Sequence, residues 1–133
     1  MVSRALSIAL LCFLLVPAAT AAPAADAGRA RAKVSFELGA RTGFEYRWEY
    51  NVRFRISNRT TGTALTGLRV FATGLMNAPG HEMRTVTLRI RDAGAGTYTG
   101  TMAFYMPGEW RIRVSVRGAN VLPGLASFRV FLQ

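Results

Sequence analysis

An all-β domain, folded as a two-sheet sandwich of the immunoglobulin-like type, is what this sequence predicts. Short segments with apolar residues at every second position recur along the chain, turn residues separate them at fairly even spacing, and no helical periodicity follows the N-terminal segment. A period of two is typical of half-buried strands, and about seven such strands in about 100 residues indicate a sandwich. The seven predicted strands span residues 33–38, 46–56, 68–73, 85–91, 97–105, 110–117 and 128–132.

The first three strands differ in how clearly they alternate. Residues 33–38 alternate only weakly. Residues 46–56 have aromatic and aliphatic side chains at every even-numbered position, and the arginines of this segment lie at odd-numbered positions. The arginines should therefore face water. Residues 57–67 carry the Asn and Gly that are typical of turns, and alternation resumes at 68–73.

The last four strands are separated by three turn signals. A Gly-rich run at 92–96 divides the fourth strand from the fifth, a Met-Pro-Gly turn at 106–108 follows the fifth, and a loop at 118–126 with Pro and Gly precedes the seventh. The fourth and fifth strands should run in opposite directions. The loop before the fourth strand and the Met-Pro-Gly turn should therefore lie at the same end of the sandwich.

The N-terminus is predicted to be a signal peptide. Arg4 precedes an unbroken apolar run at 5–16, which is followed by small residues, and this is the layout of a cleaved secretory signal. An uncleaved membrane anchor is the alternative, although about 12 apolar residues are fewer than the roughly 20 that a spanning helix needs. We expect a periplasmic or secreted protein with a signal peptide at 1–21, a flexible tether at 22–32 and the sandwich domain at 33–133.

The composition limits the chemistry of the domain. The only cysteine, Cys12, lies in the predicted signal, so the mature domain has no disulfide, thiolate metal ligand or cysteine nucleophile. The only histidine is His81, and no serine lies in the context of a nucleophile elbow. His81-Glu82 begins like a zinc-protease motif, but Thr85 stands where the second histidine belongs. The residues therefore predict a protein without enzymatic activity.

A soft metal site is the chemistry that remains. Met76, His81 and Met83 lie around the loop before the fourth strand, and Met106 lies in the Met-Pro-Gly turn at the same predicted end. Thioether sulfur and imidazole suit copper, so these four residues are the predicted ligands of a copper site outside the cytoplasm. The alternative is that the methionines only cover the end of the core, which is an ordinary role for this residue.

The formal net charge of +10 favours anionic partners. An exported domain meets little nucleic acid, so the expected partner is an anionic membrane surface or an acidic protein, and a merely solvated basic surface is the alternative. In a standard sandwich the third, sixth and seventh predicted strands share a sheet. The outer face of that sheet would then gather Arg69, Arg111, Arg113, Arg117 and Arg129.

The order of these motifs resembles the YtkA-like and FixH-like families of exported or membrane-anchored bacterial domains. The resemblance covers roughly residues 68–116. It is carried by Met76, His81 and Met83 in the first loop, Gly96 and Tyr98 after the Gly-rich turn, and Met106, Pro107, Gly108 and Trp110 at the second turn.

The resemblance implies a fold and a function. These families are similar to immunoglobulin-like or cupredoxin-like sandwiches, and some members are linked with copper delivery or with the assembly of cation pumps and oxidases. It therefore implies a copper-handling domain whose partner is a copper-dependent oxidase or a cation pump.

Overall fold

The computed structural model describes residues 28–43, 48–78, 81–87 and 90–133. The predicted signal at 1–21 and most of the predicted tether lie outside these residues. Within the described ranges the chain forms strands only, and no helix there is long and apolar enough to cross a bilayer. The strands are β1 Ala32–Arg41, β2 Trp48–Asn58, β3 Arg69–Ala78, β4 His81–Val86, β5 Arg91–Gly94, β6 Thr97–Phe104, β7 Gly108–Gly118 and β8 Val121–Leu132.

Two antiparallel four-stranded sheets make up the sandwich. The first sheet has the order β1-β2-β6-β5, and the second sheet has the order β4-β3-β7-β8. This arrangement confirms the predicted all-β sandwich, with eight strands in place of seven. It also confirms that the third, sixth and seventh predicted strands, which are β3, β7 and β8, share a sheet.

The core fills the space between the two sheets, as the alternation of residues requires. Phe54 in β2, Phe104 in β6, and Trp110 and Ile112 in β7 are completely buried. The rings of Phe104 and Trp110 meet edge to face with centroids 5.1 Å apart, so this contact joins the two sheets. Burying one such side chain contributes roughly 1.5–3 kcal/mol, which makes these inward positions the main source of stability.

The prediction of one strand over residues 85–91 is wrong, because the chain changes sheets inside this segment. Up to Val86 it pairs with β3, whereas Arg91 pairs with β6 of the first sheet. At the crossing, the backbone N–H and the hydroxyl of Thr87 both donate to the Ala72 carbonyl at 2.9 Å, and Thr87 forms a bridge with Met102 of β6. The alternation of apolar residues over 85–91 therefore runs from the end of β4 to the start of β5, which belong to different sheets.

Strand pairing extends into two predicted loops, so the predicted bounds of both loops are wrong. Between Met76 and Met83, β3 continues to Ala78 and β4 begins at His81, and these two residues pair with each other. The loop predicted at 118–126 shrinks to a two-residue turn, because β8 already pairs with β7 from Val121. The described part of the predicted tether joins this strand too, since Ala30 forms a parallel bridge with Val121.

A buried tyrosine fixes the connection that enters β3. The hydroxyl of Tyr98 donates to the Leu65 carbonyl at 2.9 Å and accepts the backbone N–H of Leu68 at 3.1 Å. Burial raises the pKa of Tyr98, an effect that the Leu68 bond opposes and the nearby Asp92 carboxylate reinforces. The two hydrogen bonds of the Tyr98 hydroxyl therefore hold the end of the 57–67 connection against the first sheet.

Candidate functional site

Two of the predicted copper ligands form a cross-strand pair. Met76 in β3 and Met83 in β4 are directly opposite each other in the register, so their side chains lie on the same, inner face of the second sheet. Met76 is only 6 % exposed and belongs to the core, and Met83 is partly buried against it. Both thioether side chains therefore lie on the inner face at one end of the sandwich, in a largely apolar setting.

The Met-Pro-Gly turn lies at the same end. A Cβ built on Gly108 would be 2.6 Å from the Met76 Cε, which places the Met76 side chain directly beneath this turn. The turn is fastened by Trp110, whose indole Nε1 donates to the Met106 carbonyl at 3.1 Å. Met106 itself is 38 % exposed, so its side chain is open to solvent beside the buried pair. We call Met76, Met83 and Met106 the methionine end.

His81 joins this end through its backbone. It opens β4 two residues before Met83, opposite Ala78, while its side chain lies outside the described residues. In the part of the chain that the structure describes, no group of three or more His, Cys, Asp or Glu side chains is placed to hold a metal ion.

The five predicted arginines lie together on the outer face of the second sheet. Arg69 is directly opposite Arg117, Arg111 is directly opposite Arg129, and Arg113 lies on β7 between these two rows. All five are exposed. The register of β3, β7 and β8 therefore creates a continuous basic surface, which we call the arginine face.

β4 extends the arginine face with a sixth arginine. Arg84 is opposite Leu75, which is opposite Arg111, so four strands contribute to one row. Two glutamates share the face and make weak, exposed ion pairs, Glu82 with Arg84 at 3.3 Å and Glu109 with Arg129 at 3.7 Å. Six arginines and two glutamates leave a net charge of +4 on this face.

Apolar side chains are interleaved with these charges. Phe71, Leu125 and Phe131 are 53 %, 73 % and 68 % exposed, and Val86 is 45 % exposed. In the strand register, Phe71 and Leu125 flank Ser115 in the row between the Arg69 and Arg113 rows. The arginine face is therefore amphipathic, with apolar groups in reach of solvent between cationic ones.

The outer face of the first sheet provides a comparison within the same molecule. It is also basic, with Arg53, Arg55 and Arg91 exposed, but among its described residues it presents threonines and other polar groups in place of large apolar side chains. Arg53 pairs with Glu37 at 3.7 Å. Positive charge is thus common to both faces, whereas exposed apolar area is not.

Sequence reasoning missed the apolar part of the arginine face and one of its arginines. Leu125 and Arg84 fall in loops that the sequence predicts, and the alternation rule for strands does not apply there. Phe71 and Phe131 do have outward parity in their predicted strands. Their position on the same outer face as the arginines therefore follows from the alternation together with the strand order.

Comparison with known proteins identifies the family. No curated protein matches the chain. The model of the YtkA-like family matches residues 47–115, from the start of β2 almost to the end of β7. That match covers just over half of the chain and includes the methionine end together with most of the arginine face. The chain therefore belongs to the YtkA-like family.

Proposed function

We propose that this chain is an exported, non-enzymatic interaction domain that docks onto an anionic partner through the arginine face. The observation that carries this proposal is the register, which stacks Arg69 on Arg117 and Arg111 on Arg129 across neighbouring strands. The YtkA-like family is not a known enzyme family. The signal-like N-terminus of the sequence supports export.

The arrangement of charges on the arginine face supports an anionic partner. Like charges directly opposite each other destabilise a sheet, so two such pairs on one face are a cost to the isolated domain. An anionic surface removes the repulsion and adds attraction to all six arginines at once. Because the arginines are exposed, salt should screen this attraction strongly.

A polyanion column tests the proposal. Arg111, Arg113 and Arg129 are changed to Gln in one variant, and Arg53, Arg55 and Arg91 are changed to Gln in the control. Both variants lose three charges, and each loses one arginine that makes an exposed ion pair at 3.7 Å. The first variant should elute from dextran sulfate at lower salt than the control. Equal elution of the two variants contradicts the proposal, because it means that only net charge matters.

A second candidate function is favoured by the methionine end. Met76 and Met83 are paired across two strands, and Met76 contacts the turn that carries the exposed Met106. Three thioethers at one end suit Cu(I), and a soft cation could be taken up or passed on at the solvent-exposed Met106. In this function the chain is a copper-handling accessory to an oxidase or a cation pump, with His81 as a fourth ligand.

Competition titration with Cu(I) tests this second candidate. Met76, Met83 and Met106 are changed to Leu, which nearly conserves volume and should keep the core intact. Met102, which is fully buried in β6, is changed to Leu as the control. The triple variant should lose Cu(I) uptake while the control keeps it. If the wild type takes up no more Cu(I) than the triple variant, the copper function is wrong.

A further inference from the structure

We infer that the anionic partner of the arginine face is a phospholipid bilayer, and that Phe71, Leu125 and Phe131 enter its headgroup region. This inference rests on the proposed docking function and adds to it the class of partner and the mode of contact. The arginines would hold lipid phosphates, and the apolar side chains between them would reach the upper part of the acyl region.

The first argument is where exposed apolar residues occur. In the described part of the chain six large apolar side chains are exposed, and all lie on the arginine face or on the turn at its end. The outer face of the first sheet is also basic but lacks them. The positive sign of the charge therefore does not distinguish the two faces, and the apolar residues mark the second sheet as the contact surface. They are Phe71, Val86, Leu125 and Phe131 on the face and Tyr105 and Met106 on the turn.

The second argument is the way in which the two residue classes alternate. The row that contains Phe71 and Leu125 has the Arg69–Arg117 pair on one side and the row of Arg113 on the other. Two shallow hollows open on this face, and each is lined by Arg113 together with Leu125. A bound phosphate and an inserted side chain would therefore be immediate neighbours.

The third argument separates a bilayer from an acidic protein. In protein interfaces an arginine near the centre is held in a well-packed, fully desolvated pocket among the aromatic anchors. Here Arg113 occupies the middle of the face and lines only two shallow hollows, with apolar groups on several sides of it. Such mixing suits the headgroup region of a bilayer, where an arginine stem and a phenylalanine can sit at the same depth while the guanidinium reaches a phosphate.

Vesicle binding at physiological salt tests the inference. Wild-type protein is sedimented with vesicles of phosphatidylcholine and phosphatidylglycerol and with vesicles of phosphatidylcholine alone. It should bind the anionic vesicles and not the neutral ones. Changing Phe71, Leu125 and Phe131 to Ser should weaken vesicle binding about tenfold, because apolar area no longer leaves water. The same variant should elute from dextran sulfate as the wild type does, because its charges are unchanged.

Insertion can be measured directly with two tryptophan reporters. Phe131→Trp places a reporter on the arginine face, and Thr99→Trp places one on the outer face of the first sheet. Brominated phosphatidylglycerol should quench the added fluorescence of the first reporter and leave that of the second unchanged. Circular dichroism establishes that every variant keeps its sheets.

The outcomes separate the two proposals. If the wild type is retained on dextran sulfate through the arginine face but binds no anionic vesicles, or if the Ser variant binds vesicles as tightly as the wild type, the bilayer inference is overturned and an acidic protein becomes the partner. If the charge variant and its control behave alike on dextran sulfate, the docking function itself fails.

Discussion

Arg69 and Arg117 are directly opposite each other on the outer surface of neighbouring strands β3 and β7. The same relationship recurs between Arg111 and Arg129 on β7 and β8. In a sheet built only for stability these positions would carry β-branched or oppositely charged partners, because like charges across a strand pair are unfavourable. The two pairs are therefore places where the proposed docking function and the stability of the sheet make opposite demands on the sequence.

Arg117→Thr should make the isolated domain more stable. The change removes the repulsion with Arg69 and introduces a residue with high strand propensity, so we expect a gain of about 0.5 kcal/mol in the free energy of unfolding. Arg55→Thr is the control, since Arg55 is opposite Ser35 and Thr97 and loses the same net charge. Urea unfolding measures both. A gain no larger than that of the control contradicts the repulsion argument.

The contact between Gly74 and Thr85 predicts a second, larger effect. A Cβ on Gly74 would lie 2.6 Å from the Thr85 Cγ2, and the Thr85 hydroxyl donates to the Ala103 carbonyl of the opposite sheet. Gly74→Ala should therefore cost about 1–3 kcal/mol through overpacking. Adding Thr85→Ser removes the clashing methyl group and keeps the hydroxyl, so the double variant should recover most of that loss.

A double-mutant cycle of the free energies of unfolding, measured with urea, tests this pair. The coupling free energy between Gly74→Ala and Thr85→Ser should be favourable, and it should be similar in size to the stability lost through Gly74→Ala. Additive effects of the two changes would mean that the backbone moves to accept the new Cβ. In that case the packing between β3 and β4 does not determine which residue is tolerated at position 74.

Much of the fold could be predicted from the sequence, because each sheet has one face exposed to water and one face buried in the core. Alternation located β2 and β7, and the strand order then gathered the arginines. The change of sheet at Thr87 could not be predicted, since periodicity reports which side of a strand is buried and not which neighbour it pairs with. The early start of β8 was hidden by Pro123, which an edge strand tolerates because one side of its backbone needs no partner.

The candidate sites were predictable to different degrees. The arginines were found because parity fixes the direction of a side chain once its strand is known. The pairing of Met76 with Met83 was not found, because Pro79 and Gly80 suggested a longer loop than the hairpin leaves room for. Leu125 was missed for a similar reason, since it follows Pro123 and Gly124.

Asp92 should make stability depend on pH in the acid range. Its carboxylate accepts the backbone N–H groups of Gly67 and Gly94, each at 2.9 Å, and these bonds lower the pKa of Asp92. The contribution is fully present above the ordinary aspartate pKa of about 4 and is lost as pH falls through the lowered value. Asp92→Asn should therefore be less stable than the wild type at pH 7, and the difference should shrink below about pH 4. Urea unfolding at several pH values measures it, and a constant difference down to pH 2 contradicts the assignment.

The Tyr98 hydroxyl should make the free energy of unfolding fall as pH rises in the alkaline range, whereas the Asp92 contribution falls as pH decreases. Tyr98→Phe removes the hydroxyl that bonds to Leu65 and Leu68, and we expect a loss of about 1–3 kcal/mol near neutral pH because these backbone groups lose a partner. Burial raises the pKa of Tyr98, so the neutral hydroxyl favours the fold and its contribution disappears as pH rises from about 10 through the raised value. The difference between the wild type and Tyr98→Phe should therefore narrow above pH 10, as measured by urea unfolding. Tyr105→Phe, in the exposed turn, is the control and should change stability by less than about 0.5 kcal/mol. A difference for Tyr98→Phe that stays constant from pH 8 to pH 11 would mean that the hydroxyl does not hold the 57–67 connection in its neutral form.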